Sequence, residues 1–121
     1  MWNVLVCGGA GYIGSHMSQW LAGQGHSVTV LDNLSTGHRA AVKWGDFIHA
    51  DLLDESALER AFAGRHFDVV MHFAATSLVA DSVADPFTTY QNNITGSLNL
   101  LRQMRRRDVG RLVFSSTAAV F

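Results

Sequence analysis

The chain has 121 residues, enough for one domain built on one moderate core. Hydrophobic residues make up 48% and charged residues 16%, which is globular rather than disordered. Nine Lys and Arg against ten Asp and Glu leave a formal net charge of -1, so no global basic field favours nucleic acid as a partner. The one basic cluster, Arg105-Arg106-Arg107, falls at the end of a predicted helix, where the helix dipole favours cations.

The start, Met1-Trp2-Asn3, lacks the basic residues of a signal peptide, and no apolar run approaches the ~20 residues of a membrane span. A cytoplasmic location and no membrane partner are therefore expected. Cys7 is the single cysteine and cannot form an internal disulfide, which suits a reducing compartment. Its setting, Val4-Leu5-Val6-Cys7, reads as a buried small hydrophobe. The six histidines match no zinc-ligand spacing.

In chain order, Asn3–Cys7 reads as a buried strand and residues 12–23 as a helix, with Ile13, Met17, Trp20 and Leu21 on one face. Gly23 and Gly25 end that helix. Ser27–Leu31 is a second strand, rich in β-branched residues. Residues 33–43 are polar and read as loop. Phe47–Ala50 is a third strand. A helix over 54–63 follows, with Asp54 as its cap and Ala57, Leu58, Ala61 and Phe62 facing inward. Phe67–Phe73 is a fourth strand. After Pro86 a long helix runs to Arg106, with Phe87, Tyr90, Ile94, Leu98, Leu101 and Met104 at helical spacings, and Arg111–Ser115 is the fifth strand. This alternation predicts an α/β fold, a doubly wound parallel sheet of Rossmann type with strand order 3-2-1-4-5. Ligands bind such sheets at the carboxyl ends of the strands, beside the reversal of strand order.

Residues 8–14, GGAGYIG, place Gly8, Gly11 and Gly14 as G-x-x-G-x-x-G between a strand and a helix, the setting of a dinucleotide-binding turn. Gly8 permits a tight turn, Gly11 a close approach to pyrophosphate, and Gly14 close packing of helix on sheet. The free N–H groups of the helix start would hold the anion. A glycine turn that serves packing alone is the bland alternative. The next strand runs into Asp32, 24 residues after Gly8, where a carboxylate accepts hydrogen bonds from an adenosine ribose and repels a 2′-phosphate, favouring NAD over NADP. Asp51 follows the third strand and can meet an adenine amino group or anchor its own loop, with Leu52 offering backbone and apolar contact. Phe73-Ala74-Ala75 leaves room for the middle of a cofactor, as a tight turn alone would also explain. His72 could face a site or serve as a polar anchor.

Beyond these features, the blocks VCGGAGYIGSH, LDNLSTGH, GDFIHADLLD, VVMHFAA, SVADPFTTYQNN, GSLNLL and FSSTAAV resemble the N-terminal part of the extended short-chain dehydrogenase/reductase family, and within it the UDP-sugar 4-epimerases. The resemblance runs from the first strand to Phe121. It implies tightly held NAD and interconversion of UDP-glucose and UDP-galactose by hydride transfer at C4 of the sugar. It places Gly8, Gly11, Tyr12 and Ile13 along the pyrophosphate, closed by Gly14. Asp32 and Asn33 meet the adenosine ribose, Asp51 and Leu52 flank the adenine, and Phe73 and Ala74 lie along the cofactor. Asn92 reaches the cofactor or orders water near it, unless it bonds only within its helix. Ser115 borders the nicotinamide. Thr117 takes the catalytic Ser/Thr position, binding the 4-oxygen and relaying its proton. Ser116 has no role beyond local hydrogen bonding.

The sequence departs from the family at Cys7, where threonine is usual, at Ser77, which is lysine in some epimerases, and at Phe121, where tyrosine is common. It contains no counterpart of the family's Tyr-x-x-x-Lys base pair and no substrate domain. Residues 1–121 thus correspond to an N-terminal NAD-binding portion, expected to be inactive alone and to self-associate, most simply as a homodimer, through an exposed sheet edge. A related nucleotide-sugar epimerase or dehydratase, and a non-catalytic NAD-binding module, are the alternative readings.

Overall fold

The computed structural model describes residues 1–8, 12–33, 45–73 and 86–114, with only the backbone of residues 12, 13, 86, 88–90, 92 and 93. Five strands and three helices are found among them: β1 Asn3–Cys7, α1 Tyr12–Gly23, β2 Ser27–Asp32, β3 Asp46–His49, α2 Glu55–Phe62, β4 Val69–His72, α3 Pro86–Arg106 and β5 Leu112–Phe114. All pairings are parallel, and the sheet order is β3-β2-β1-β4-β5, as the alternation of elements predicts.

The sheet is covered on both faces, which explains why its central strands read as unbroken apolar runs. Side chains alternate by strand period. On one face Val4, Val6, Val28, Val30 and Val69 pack with Leu21 and Met17 of α1. On the other, Leu5, Cys7, Leu31 and Val70 pack with Leu58, Ala61 and Phe62 of α2 and Leu100 and Met104 of α3. Phe62 and Phe67 close this second core edge to face, with centroids 5.4 Å apart. Asp54 caps α2 as expected, its carboxylate accepting from Ala57 N–H at 3.1 Å.

Two helix faces differ from expectation. In α1, Leu21 is buried but Trp20 is 58% exposed. The buried positions are Gly14, Ser18 and Leu21, a row at i, i+4, i+7 that faces the sheet. The Ser18 hydroxyl donates to Gly14 O at 2.9 Å, so this buried polar group is satisfied within the helix. In α3, Met104 is buried, whereas Phe87 (74%), Ile94 (61%), Leu98 (51%) and Leu101 (44%) are exposed. The inner face is Gly96, Asn99, Leu100, Gln103 and Met104. That row has helical spacing too, but a glycine and two amides conceal it from a reading based on hydrophobicity.

One backbone feature escaped the sequence reading. Gly45 enters β3 with φ 81°, and a Cβ there would lie 2.0 Å from Val28 O. Only a residue without a side chain fits this start of the β2–β3 pairing.

Candidate functional site

The register puts the ends of all five strands along one edge. Cys7 is level with Leu31 on one side and His72 on the other, Asp32 is level with His49, and His72 with Phe114. The order reverses between β1's two neighbours, β2 and β4, which is where open α/β sheets bind their ligands.

Gly8 leaves β1 with φ 83°, the left-handed region that favours glycine. Its N–H donates to Leu31 O at 2.7 Å, so the turn begins while still tied to β2. Four residues on, α1 begins, and its first turn carries no acidic side chain. The first turn of the helix thus adds no negative charge of its own to oppose an anion at these N–H groups. Gly14 is buried.

Asp32 ends β2 and is only 8% exposed. It shares the α1 face with Val28 and Val30 by strand period. Its negative charge reaches the neighbouring strand: the Cys7 thiol is pushed up to about 12, first by complete burial and then by Asp32. A thiol held so firmly protonated is a core hydrophobe, as its sequence setting suggests.

Next to Asp32, three polar groups converge. Asn33 Nδ2 donates to Asp51 Oδ2 at 3.3 Å, and Asp51 Oδ1 accepts from Leu53 N–H at 2.9 Å. His49 Nε2 lies 3.2 Å from Asn33 O, as a donor to that carbonyl. Asp51 thus anchors its own loop and reaches the residue after Asp32. Leu52 is nearly buried, and Asn99 of α3 donates to its carbonyl at 2.9 Å. His49 and Asn99 were not singled out in the sequence. Their only signal is a polar residue beside a strand end or on an otherwise apolar helix face.

Across the reversal, Phe73 N–H donates to Cys7 O at 2.7 Å, and the ring is half-buried on the α1 side. His72 points the other way. It is buried, Nε2 lies 3.0 Å from Ser97 Oγ, and burial lowers its pKa to about 4. Of the two roles open to it, the structure shows the anchor. Tyr12, Ile13 and Asn92 are placed by backbone only, in α1 and α3. Gly11, Ala74, Ser115, Ser116 and Thr117, as well as Ser77 and Phe121, lie outside the described residues. Among the described residues no group of three metal-ligating side chains occurs, and no helix is long and apolar enough to cross a membrane.

A parallel sheet with this order, a glycine turn leading into a helix, and a carboxylate at the end of the adjacent strand define a doubly wound nucleotide-binding fold. The chain belongs to the NAD dependent epimerase/dehydratase family, whose model matches residues 4–121. It is 48% identical over 118 residues to a UDP-glucose 4-epimerase of Halalkalibacterium halodurans, covering 98% of this chain and 35% of that protein. The UDP-glucose 4-epimerase of Brucella ovis, solved in complex with NAD, superposes with a TM-score of 0.91 at 47% identity, covering 98% of this chain and 36% of that one. The Thermotoga maritima enzyme, solved with UDP-glucose, gives 0.89 at 40% identity, covering 95% and 38%. The chain therefore spans little more than a third of the length of the relatives it matches.

Proposed function

We propose that residues 1–121 form the NAD-binding portion of a UDP-glucose 4-epimerase. The observation that carries this reading is the meeting of the Gly8 turn, Asp32 and the Asn33–Asp51 pair at one sheet edge, in a chain of this family. The residues present fit the dinucleotide. The start of α1 offers N–H groups to a pyrophosphate, and its own first turn carries no acid. Asp32 offers a carboxylate to ribose hydroxyls, and that charge disfavours a 2′-phosphate. Asp51 and Leu52 flank the adenine, and Phe73 and Ala74 line the middle of the cofactor. The family resemblance further assigns Gly11, Tyr12, Ile13 and Gly14 to the pyrophosphate turn, and Asn92 and Ser115 to the cofactor.

Bound there, NAD supplies the hydride acceptor and donor for C4 of the sugar. The chain's own part is to bind and orient: by the family resemblance, Thr117 would hold the sugar's 4-oxygen and help relay its proton to the base. The family resemblance assigns the base to a Tyr-x-x-x-Lys pair, which this sequence does not contain. For the 121 residues alone with NAD, no measurable conversion of UDP-galactose is expected.

Calorimetric titration tests the cofactor reading. NAD should bind more tightly than NADP, and Asp32→Ala should weaken NAD and narrow the preference. No binding of NAD, or equal binding of NADP, overturns it.

We further propose that the chain self-associates through the outer face of α3. Phe87, Ile94 and Leu101 recur every seven residues with Leu98 beside them, and all four are exposed. That spacing suits a seam between paired helices. Leu112, Val113 and Phe114 of the edge strand β5 add exposed apolar surface. Sedimentation should show a dimer that Leu98→Glu dissociates; a monomer at all concentrations argues against it.

A further inference from the structure

We propose that Asn99 is a positioning residue for the adenine end of the nucleotide site, holding the Asp51–Leu52 turn from α3; this rests on the NAD-binding reading above. Asn99 is 5% exposed and lies 47 residues from the backbone it grips. Its Nδ2 donates to Leu52 O at 2.9 Å, and its Oδ1 accepts from Arg102 at 3.4 Å. The two contacts fix the amide in one orientation, because the flipped form would set oxygen against carbonyl and NH2 against guanidinium. Arg102 also pairs with Glu55, the first residue of α2.

The turn itself is held at several points. Asp51 accepts from Leu53 N–H through its side chain and from Asp54 N–H through its carbonyl, both at 2.9 Å. Asp54 then caps α2. These bonds are local and shape the turn, but they do not place it relative to the sheet edge. On the β2 side, Ala50 N–H donates to Asp32 O at 3.2 Å and Asn33 donates to Asp51; on the opposite side, placement comes from α3. Asn99 takes the Leu52 carbonyl, and one turn earlier Gly96 lets the helix approach so closely that a Cβ there would lie 3.1 Å from Leu52 Cβ. Leu52 is thus fixed by its carbonyl and by its side chain. Asp51, its neighbour, carries the carboxylate that binds Asn33. A shift of Leu52 therefore moves the groups assigned to the adenine and disturbs the residue beside the ribose carboxylate Asp32.

Asn99→Asp retains size and the Arg102 contact while removing the donor to Leu52; Asn99→Ala removes the donor without placing a charge against the carbonyl. ADP-ribose and nicotinamide mononucleotide, titrated into the wild-type and variant proteins, report the two ends of the site. Both variants should lose about ten-fold in ADP-ribose affinity, the worth of one buried hydrogen bond, with mononucleotide affinity unchanged. In the ligand-free protein, amide exchange at Leu53 should accelerate while β1 amides keep their protection. ADP-ribose affinity within two-fold of wild type, equal loss of both ligands, or unchanged exchange at Leu53 overturns the positioning role. A wild-type protein that binds neither NAD nor ADP-ribose overturns the nucleotide reading itself, and the positioning role with it.

Discussion

The imidazole of His72 and the hydroxyl of Ser97 meet at 3.0 Å, joining the end of β4 to the middle of α3. The Phe114 ring meets the imidazole edge to face, with centroids 5.1 Å apart. Burial lowers the His72 pKa from 6.5 to about 4, so the folded protein holds the neutral ring. The unfolded chain binds the proton more readily, and stability must therefore fall as pH drops from about 6.5 towards 4. Above that window the contribution is fully present. At about 1.4 kcal/mol per unit, the loss is roughly 3 kcal/mol. Urea unfolding at pH 7 and pH 4.5 measures it, and His72→Gln, which can still bond Ser97, should flatten the slope. An unchanged slope in that variant would assign the acid sensitivity elsewhere.

Asp68 adds acid sensitivity at lower pH. Its carboxyl lies below its ordinary value, chiefly because Asn3 N–H donates to it at 2.7 Å and further because of His66. Its contribution is present above the unfolded carboxyl pKa and disappears as pH falls through the folded one. Asp68→Asn should therefore reduce the pH dependence of stability below about pH 4 and leave the His72 window intact.

Gly45→Ala should destabilise by roughly 3 kcal/mol or more, adding left-handed strain to a backbone clash. The clashing atom, Val28 O, belongs to a strand in the middle of the sheet and cannot yield as a side chain would. Thermal unfolding of the variant measures the loss; a midpoint within a degree of wild type would contradict the tight start of β3.

Gln103 is 1% exposed, and among the described residues neither its Nε2 nor its Oε1 has a hydrogen-bond partner. A buried amide in this condition costs about 1–3 kcal/mol. Gln103→Met keeps the length and removes the orphaned groups, so it should raise the denaturant midpoint. A lower midpoint would show that the amide is satisfied in solution, for example by a buried water.

Cys7 has no solvent-exposed surface and a thiol raised to about 12. Aromatic disulfide reagents at pH 8 should leave it unmodified in the folded protein and react stoichiometrically in urea. Because burial is the larger cause, Asp32→Asn should not make it reactive. Rapid labelling of the native protein would contradict the packing of β1.

The strand order was legible because each β-branched or apolar run is separated from the next by a helix-length segment, and parallel crossovers admit few topologies. The positions of Gly8 and Asp32 at the ends of β1 and β2 were legible because the apolar runs that precede them mark the strands. The face of α3 was not. Its apolar residues are the exposed ones, while contact with Leu52 is made through Gly96 and Asn99, types that signal nothing about burial. Gly45 was illegible for a related reason: its requirement is set by Val28, a residue distant in sequence. Trp20 was placed inward by spacing, yet the buried row of α1 is Gly14, Ser18 and Leu21, which leaves Trp20 on the outer side of the helix.

The wholly parallel sheet also sets an order of assembly. Val4 in the central strand pairs with Val28 on one side and Val69 on the other, and no neighbouring strands are joined by a hairpin. As the chain emerges during synthesis, β1 can acquire its first neighbour early, but its other edge remains open until Val69–His72 has been made. Such distant pairings slow folding and leave a bare apolar strand edge in the meantime. The fold that places Gly8 between β2 and β4 thus leaves that end of the sheet incomplete until β4 arrives, and over that interval the emerging chain carries an open edge on its central strand.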